Sequence, residues 1–135
     1  MTKPRCKPFQ PALRYAKKAV RSLHYDGSAL VIEIQGDGFA FARITFQDPI
    51  GFRVLDERDL CEFWDSYSEP NGWLYEVAEG GWLALEIQRP LFNSHSFIPR
   101  LLEYLIVDDK CISVLAKEPP TILDLGAEPK PSPAP

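Results

Sequence analysis

Between Gly51 and Trp82 the chain reads GFRVLDERDLCEFWDSYSEPNGWLYEVAEGGW, and no other stretch limits its possible folds so tightly. Gly51 to Leu55 is a short strand. Asp56 follows as a helix N-cap, its carboxylate able to accept from a first-turn amide, with Glu57 and Asp59 at the positive end of the helix dipole. Leu60, Phe63, Trp64 and Tyr67 recur at i, i+3, i+4 and i+7 and form one apolar stripe, while Arg58, Asp59, Glu62, Asp65 and Ser66 fall opposite. The spacing predicts a helix over 56–67 that seals a sheet. Its burial contributes several kcal/mol, at roughly 1.5–3 for each large side chain. Pro70-Asn71-Gly72 ends the helix. Trp73 to Val77 is then an aromatic strand, and Gly80-Gly81 turns the chain into Trp82 to Gln88, which suits either a short helix or a strand.

Strand signals dominate the remainder. Asp26-Gly27 between the alternating segments Arg21–Tyr25 and Ser28–Ile34 predicts a hairpin with a type I′ turn. Gly36-Asp37-Gly38 makes the next turn. Phe39 to Phe46 carries apolar groups on both faces, as a central strand does. Residues Arg89 to Pro99 read as an irregular loop. Leu101 to Val107 and Cys111 to Ala116 form a closing hairpin that Pro119-Pro120 stops. The expected fold class is α+β: a mainly antiparallel sheet of about six or seven strands with one main helix on one face. Three prolines in the first eleven residues predict an extended N-terminal segment over 1–12, ahead of a single domain over 13–125. Residues 126–135, dense in proline, read as a disordered tail.

With 135 residues, such a chain buries roughly two thirds of its unfolded surface and needs neither metal nor disulfide to hold a core. Nineteen acidic against fifteen basic residues give a net charge of −4, which argues against direct binding to nucleic acid. Cys6, Cys61 and Cys111 are odd in number and widely spaced, so they read as reduced thiols, with Cys61 and Cys111 in or near the core. No signal-peptide core and no membrane-length apolar run appear, and the expected location is the cytoplasm.

The sequence offers little for catalysis. His24 and His95 are the only histidines, and Ser94, His95 and Ser96 are consecutive rather than convergent. Glu76, Glu79 and Glu86 surround the glycine corner, but acid–base chemistry needs two carboxyls at a defined separation in a cleft. No metal-ligand spacing, phosphate loop or cofactor motif is present, so no catalytic residue, metal ligand or cofactor is assigned. Two surface signals remain. One is the acidic helix face, Glu57, Asp59, Glu62, Asp65 and Glu69, suited to steering a basic partner. The other is Trp73, Tyr75 and Trp82 near the glycine turns, where such residues serve equally as core or as interface anchors; Glu76 and Trp82 join the acidic face as candidate partner-binding residues.

The segments FRVLDERDLCEFW, GWLYEVAEGGW and EYLIVDDKCISVLA together resemble the immunity proteins of interbacterial polymorphic-toxin systems, small bacterial cytosolic proteins; the likeness spans about Ser22 to Leu123. Its motifs are structural, so no binding residue carries over position by position. The resemblance implies a non-enzymatic protein that binds a cognate toxin and blocks its active site or substrate groove. Nuclease and deaminase toxins are often basic, which suits an acidic surface. An effector or secretion chaperone is the alternative, and behind it a small enzyme or ligand-binding domain built on Glu76 and Glu86. Whether the chain is a monomer or a homodimer stays open.

Overall fold

At Asp26 the backbone reverses and fixes the register of the first hairpin. Gly27 takes φ +94, open only to glycine at low cost, and Asp26 Oδ1 accepts from the amides of Ser28 and Ala29, each at 2.8 Å. Asp26 itself keeps negative φ, so the turn is a side-chain-closed one and not the expected type I′. The computed structural model describes residues 3–14, 17–36, 40–64 and 72–127. In chain order these form β1 (Arg5–Pro8), a 3-10 turn (Gln10–Arg14), β2 (Lys17–Tyr25), β3 (Ala29–Gly36), β4 (Ala40–Gln47) and β5 (Gly51–Asp56). A 3-10 helix (Glu57–Phe63) follows, then β6 (Leu74–Glu79), α1 (Trp82–Ile87), α2 (Ser94–Phe97), β7 (Leu102–Ile106), β8 (Lys110–Ala116) and β9 (Thr121–Ala127).

All strand pairs are antiparallel, in a four-stranded sheet ordered β2-β3-β4-β9 and a five-stranded sheet ordered β1-β6-β7-β8-β5. The chain passes from one to the other at Asp48, a non-glycine residue with φ 46. β3 alternates buried and half-buried residues, the signature of one covered face. Its Leu30, Ile32 and Ile34, with Ala42, Ile44 and Phe46 of β4, pack on Leu74, Tyr104, Ile106, Ile112, Val114 and Ala116. β8, in contrast, buries every residue from Cys111 to Ala116. Its sheet is covered on both faces, because Leu60 and Phe63 of the 3-10 helix lie over Tyr75, Val77, Leu105, Val107 and Cys111. The molecule therefore has three layers: sheet, sheet, helix.

Antiparallel pairing is as expected, but the single sheet of six or seven strands is replaced by nine strands in two sheets among the described residues. The two additional strands, β1 and β9, are both edge strands with prolines in or beside them. An edge strand uses only one side of its backbone, so proline is tolerated there. Segment 1–12 is extended at Arg5–Pro8 but enters the sheet by pairing with β6, and Ala12 is buried with its carbonyl accepting from Trp73 Nε1 at 3.2 Å. β9 carries the sheet to Ala127; the proline-rich tail beyond it lies outside the described residues.

The helix expected over 56–67 starts where predicted but has a different form. Asp56 caps it, accepting from the Arg58 amide at 3.0 Å. Beyond the cap the segment is a 3-10 helix, kinked at Leu60 (φ −128, ψ 34), with Trp64 Nε1 donating to the Glu57 carbonyl at 2.7 Å. Three residues per turn eclipse Leu60 and Phe63, and both reach the sheet. Tyr67 lies outside the described residues. Cys111 is buried as expected, whereas Cys61 is exposed, because it follows the kink instead of continuing the buried stripe. Trp82 to Ile87 resolves as a helix, and the loop expected at 89–99 contains the short α2. No helix among the described residues is long and apolar enough to cross a membrane.

Candidate functional site

The outer face of the five-stranded sheet is apolar except at one end. Strand alternation places Val77, Glu103, Leu115 and Gly51 in one row across it, and Tyr75, Leu105, Ser113 and Arg53 in the next. Two charged side chains, Glu103 and Arg53, thus share the face that the 3-10 helix and α1 overlie.

Glu103 is 4% exposed and holds the start of α1. Its Oε2 accepts from the Trp82 amide at 3.0 Å and its Oε1 from the Leu83 amide at 2.8 Å, satisfying two donors that a helix leaves open at its first turn. Gly81 is required by the same contact, since a Cβ there would lie 2.5 Å from Glu103 Oε2. Burial raises the Glu103 pKa above the ordinary carboxylate range, against the pull of the two amides and of Arg53.

Arg53 is half-buried, with its guanidinium over the Trp82 ring at 5.0 Å and its Nε buried without a hydrogen-bond partner. Burial lowers its pKa, opposed by Glu103, Glu62 and Glu86. Trp82 Nε1 donates to Glu86 Oε1 at 3.1 Å, and Arg89 Nε donates to Glu86 Oε2 at 2.8 Å. The Arg89 bond, with help from Trp82, holds Glu86 below its usual pKa despite some desolvation. Beside this cluster opens a cleft of about 730 Å³, lined by Lys3, Arg53, Glu62, Glu79, Leu85 and Gln88 among others.

The residues expected to bind a partner do not form one patch. Glu57, Asp59 and Glu62 are exposed on the 3-10 helix, with Arg58 between them bound to Asp56 at 2.9 Å. Asp65 and Glu69 lie outside the described residues. Glu62 and Trp82 meet around Arg53. Glu76 does not join them. It pairs with Tyr104, on the face turned toward the other sheet, where Lys7 Nζ lies 3.3 Å away and Tyr104 Oη donates at 3.4 Å. Glu76 and Glu86 therefore stand on opposite faces of the sheet and do not converge.

Sequence reasoning gave Arg53 and Glu103 no place in a site. The signal was available: each is the lone charge in an otherwise apolar strand, GFRVL and LLEYLIV, on the face shared with large apolar neighbours. It also missed the exposure of Leu85, Ile87, Leu91 and Phe97. Among the described residues no three His, Cys, Asp or Glu side chains gather closely enough to hold a metal ion. Comparison with known proteins adds no relative: no family model, no curated protein and no solved structure matches the chain.

Proposed function

We propose that the protein is a non-catalytic binding protein of the immunity type, which neutralises a cognate antibacterial toxin in the cytoplasm by binding it. The observation that carries this reading is how the carboxylates are used. Glu76 is held by Lys7 and Tyr104, Glu79 by Arg5, Glu86 by Arg89 and Trp82, and Glu103 by two backbone amides. These four carboxylates are occupied in holding the fold, whereas Glu62 at the cleft wall, with Glu57 and Asp59, faces solvent. An acidic surface on a filled frame suits recognition of a basic protein surface and speeds the encounter.

The test is co-expression with the toxin domain encoded beside its gene. A stable one-to-one complex by light scattering, together with relief of the toxin's growth inhibition, is the expected result. Absence of a complex would overturn the immunity reading, and hydrolysis by the purified protein alone that Glu86→Gln or Glu76→Gln abolishes would favour an enzyme instead.

A further inference from the structure

The cleft beside α1 carries charges of both signs that the fold leaves unpaired. Lys3 and Arg53 line it, and neither makes an ion pair among the described residues. Glu62 lines it too and makes none either. Glu79 also borders the space, but Arg5 holds it at 2.9 Å from outside the lining. Nearby cations find partners on the surface, Arg58 and Lys110 on Asp56 and Arg89 on Glu86, so the two in the cleft stand apart.

Arg53 is the more constrained of them. Its guanidinium lies over the Trp82 ring and its Nε is enclosed without an acceptor. The carboxylates that face it are Glu103, Glu62 and Glu86, and none accepts a hydrogen bond from it. Glu103 is committed to the Trp82 and Leu83 amides, and Glu86 to Arg89 and Trp82. A half-buried cation without an acceptor is costly, and an acceptor carried by a ligand offsets that cost. The walls are fixed before anything binds. Gly80 lets the chain bearing Lys3 close on the corner, since a Cβ there would lie 2.5 Å from the Lys3 carbonyl oxygen, and Ala84 and Leu85 give the cleft an apolar side. Its volume of about 730 Å³ lies within the roughly 300–1,000 Å³ of small-molecule sites and exceeds what a single amino acid fills.

Charge selects the ligand. A basic molecule meets two unpaired cations, and a bare anion meets Glu62 in a chain of net charge −4, whereas a ligand carrying both signs answers all three. We infer that this cleft binds a small zwitterion with an apolar body, namely a short peptide with free termini. Its carboxylate is set against Lys3 and Arg53, its ammonium against Glu62, and an apolar side chain lies beside Leu85. The inference is separate from the immunity reading and stands or falls alone.

The test titrates the full-length, isotope-labelled protein with the tripeptide Leu-Ala-Leu, its N-acetylated form, its C-amidated form and free leucine, following backbone amide shifts. The expected result is saturable shifts at residues 3, 53, 62 and 80–88 with the uncapped peptide at millimolar concentration. Either cap weakens binding roughly two- to fivefold, the effect of losing one exposed ion pair, and free leucine binds more weakly than the peptide. Glu62→Gln removes the penalty of the acetyl cap, and Lys3→Gln removes part of the penalty of the amide cap. Both substitutions fall at exposed positions and leave the unfolding midpoint in place, so loss of the fold does not account for either effect. Capped peptides that bind as tightly as the uncapped one, cap penalties unchanged in the variants, shifts confined to other residues, or no saturation at millimolar peptide would overturn the assignment.

Discussion

Glu103 is a carboxylate placed where a charge is costly and kept there because two amides and Arg53 need it. Because its folded pKa is raised, the folded state holds the Glu103 proton to higher pH than the unfolded chain does. Its contribution to stability is most favourable at or below the ordinary carboxylate range and declines as pH rises through the raised value. Asp56, Asp26 and Glu86 slope the opposite way. Their pKa values are lowered, so their contributions are present above the ordinary range and fade as pH falls. The difference in unfolding free energy between wild type and Glu103→Gln, measured by urea melts across that window, isolates the first slope. Stability of the wild type relative to Glu103→Gln is expected to fall with rising pH. A pH-independent difference would mean that Glu103 titrates alike folded and unfolded. Glu103→Ala strands the Trp82 and Leu83 amides at roughly 1–3 kcal/mol for each one left unpaired, and amide exchange at α1 should quicken with it.

Among the elements, what was legible in the sequence follows from what alternation encodes. The apolar alternation of Leu30, Ile32 and Ile34 and the double-faced run around Phe41 and Ile44 mark strands, and β3 and β4 lie inside a sheet as that patterning requires. Alternation states which face is covered but not by what, so it could not separate one sheet under a helix from two sheets and a helix. The kink at Leu60 was hidden because the full i, i+3, i+4, i+7 stripe favours an α-helix, and only its first pair, Leu60 and Phe63, also suits a 3-10 helix. Arg53 and Glu103 were legible as types, yet their meeting depends on β8 lying between β5 and β7, a pairing that no local pattern contains. β9 was hidden by the prolines before it and its outward Leu123 and Leu125, although it closes the ladder of β4 and packs the half-buried Ile122 against the core. Truncation before Thr121 is therefore expected to cost about 2 kcal/mol or more, from Ile122 burial and strand pairing. It also turns β4 into a bare edge that promotes aggregation. Urea midpoints with light scattering read both effects, and an unchanged, monomeric truncation would show that β9 adds nothing to the sandwich.

Across the whole molecule, two sheets of different order must be held in one alignment for the apolar layer between them to stay packed. The apolar layer between them is non-directional and tolerates sliding, so alignment falls to contacts with fixed geometry. Two of them lie along β2. Tyr25 meets Phe52 of β5 edge-on at 5.4 Å between ring centres. Further along, Asp108 in the β7–β8 turn accepts from Lys17 Nζ at 3.1 Å and from the Val20 amide at 3.1 Å. The Lys17 side chain is wholly buried, which separates this ion pair from Arg5–Glu79 and Arg58–Asp56 at the surface. Exposed pairs of that kind contribute about 0–1 kcal/mol and weaken with salt. Removing one partner of a buried pair leaves the other charge uncompensated and costs roughly 3–5 kcal/mol. Lys17→Met should therefore lower the unfolding free energy by about 3 kcal/mol, insensitive to salt, while Arg5→Ala lowers it by less than about 1. Adding Asp108→Asn to Lys17→Met removes the stranded charge and should recover part of the loss, a coupling that a double-mutant cycle measures directly. Strict additivity of the two substitutions would mean that the sheets are aligned by the core alone. Coupling, accompanied by shifted Trp82 and Arg53 resonances in Lys17→Met, would mean that a single buried pair on the far side of the sheet sets the geometry of the face that carries Arg53 and Trp82.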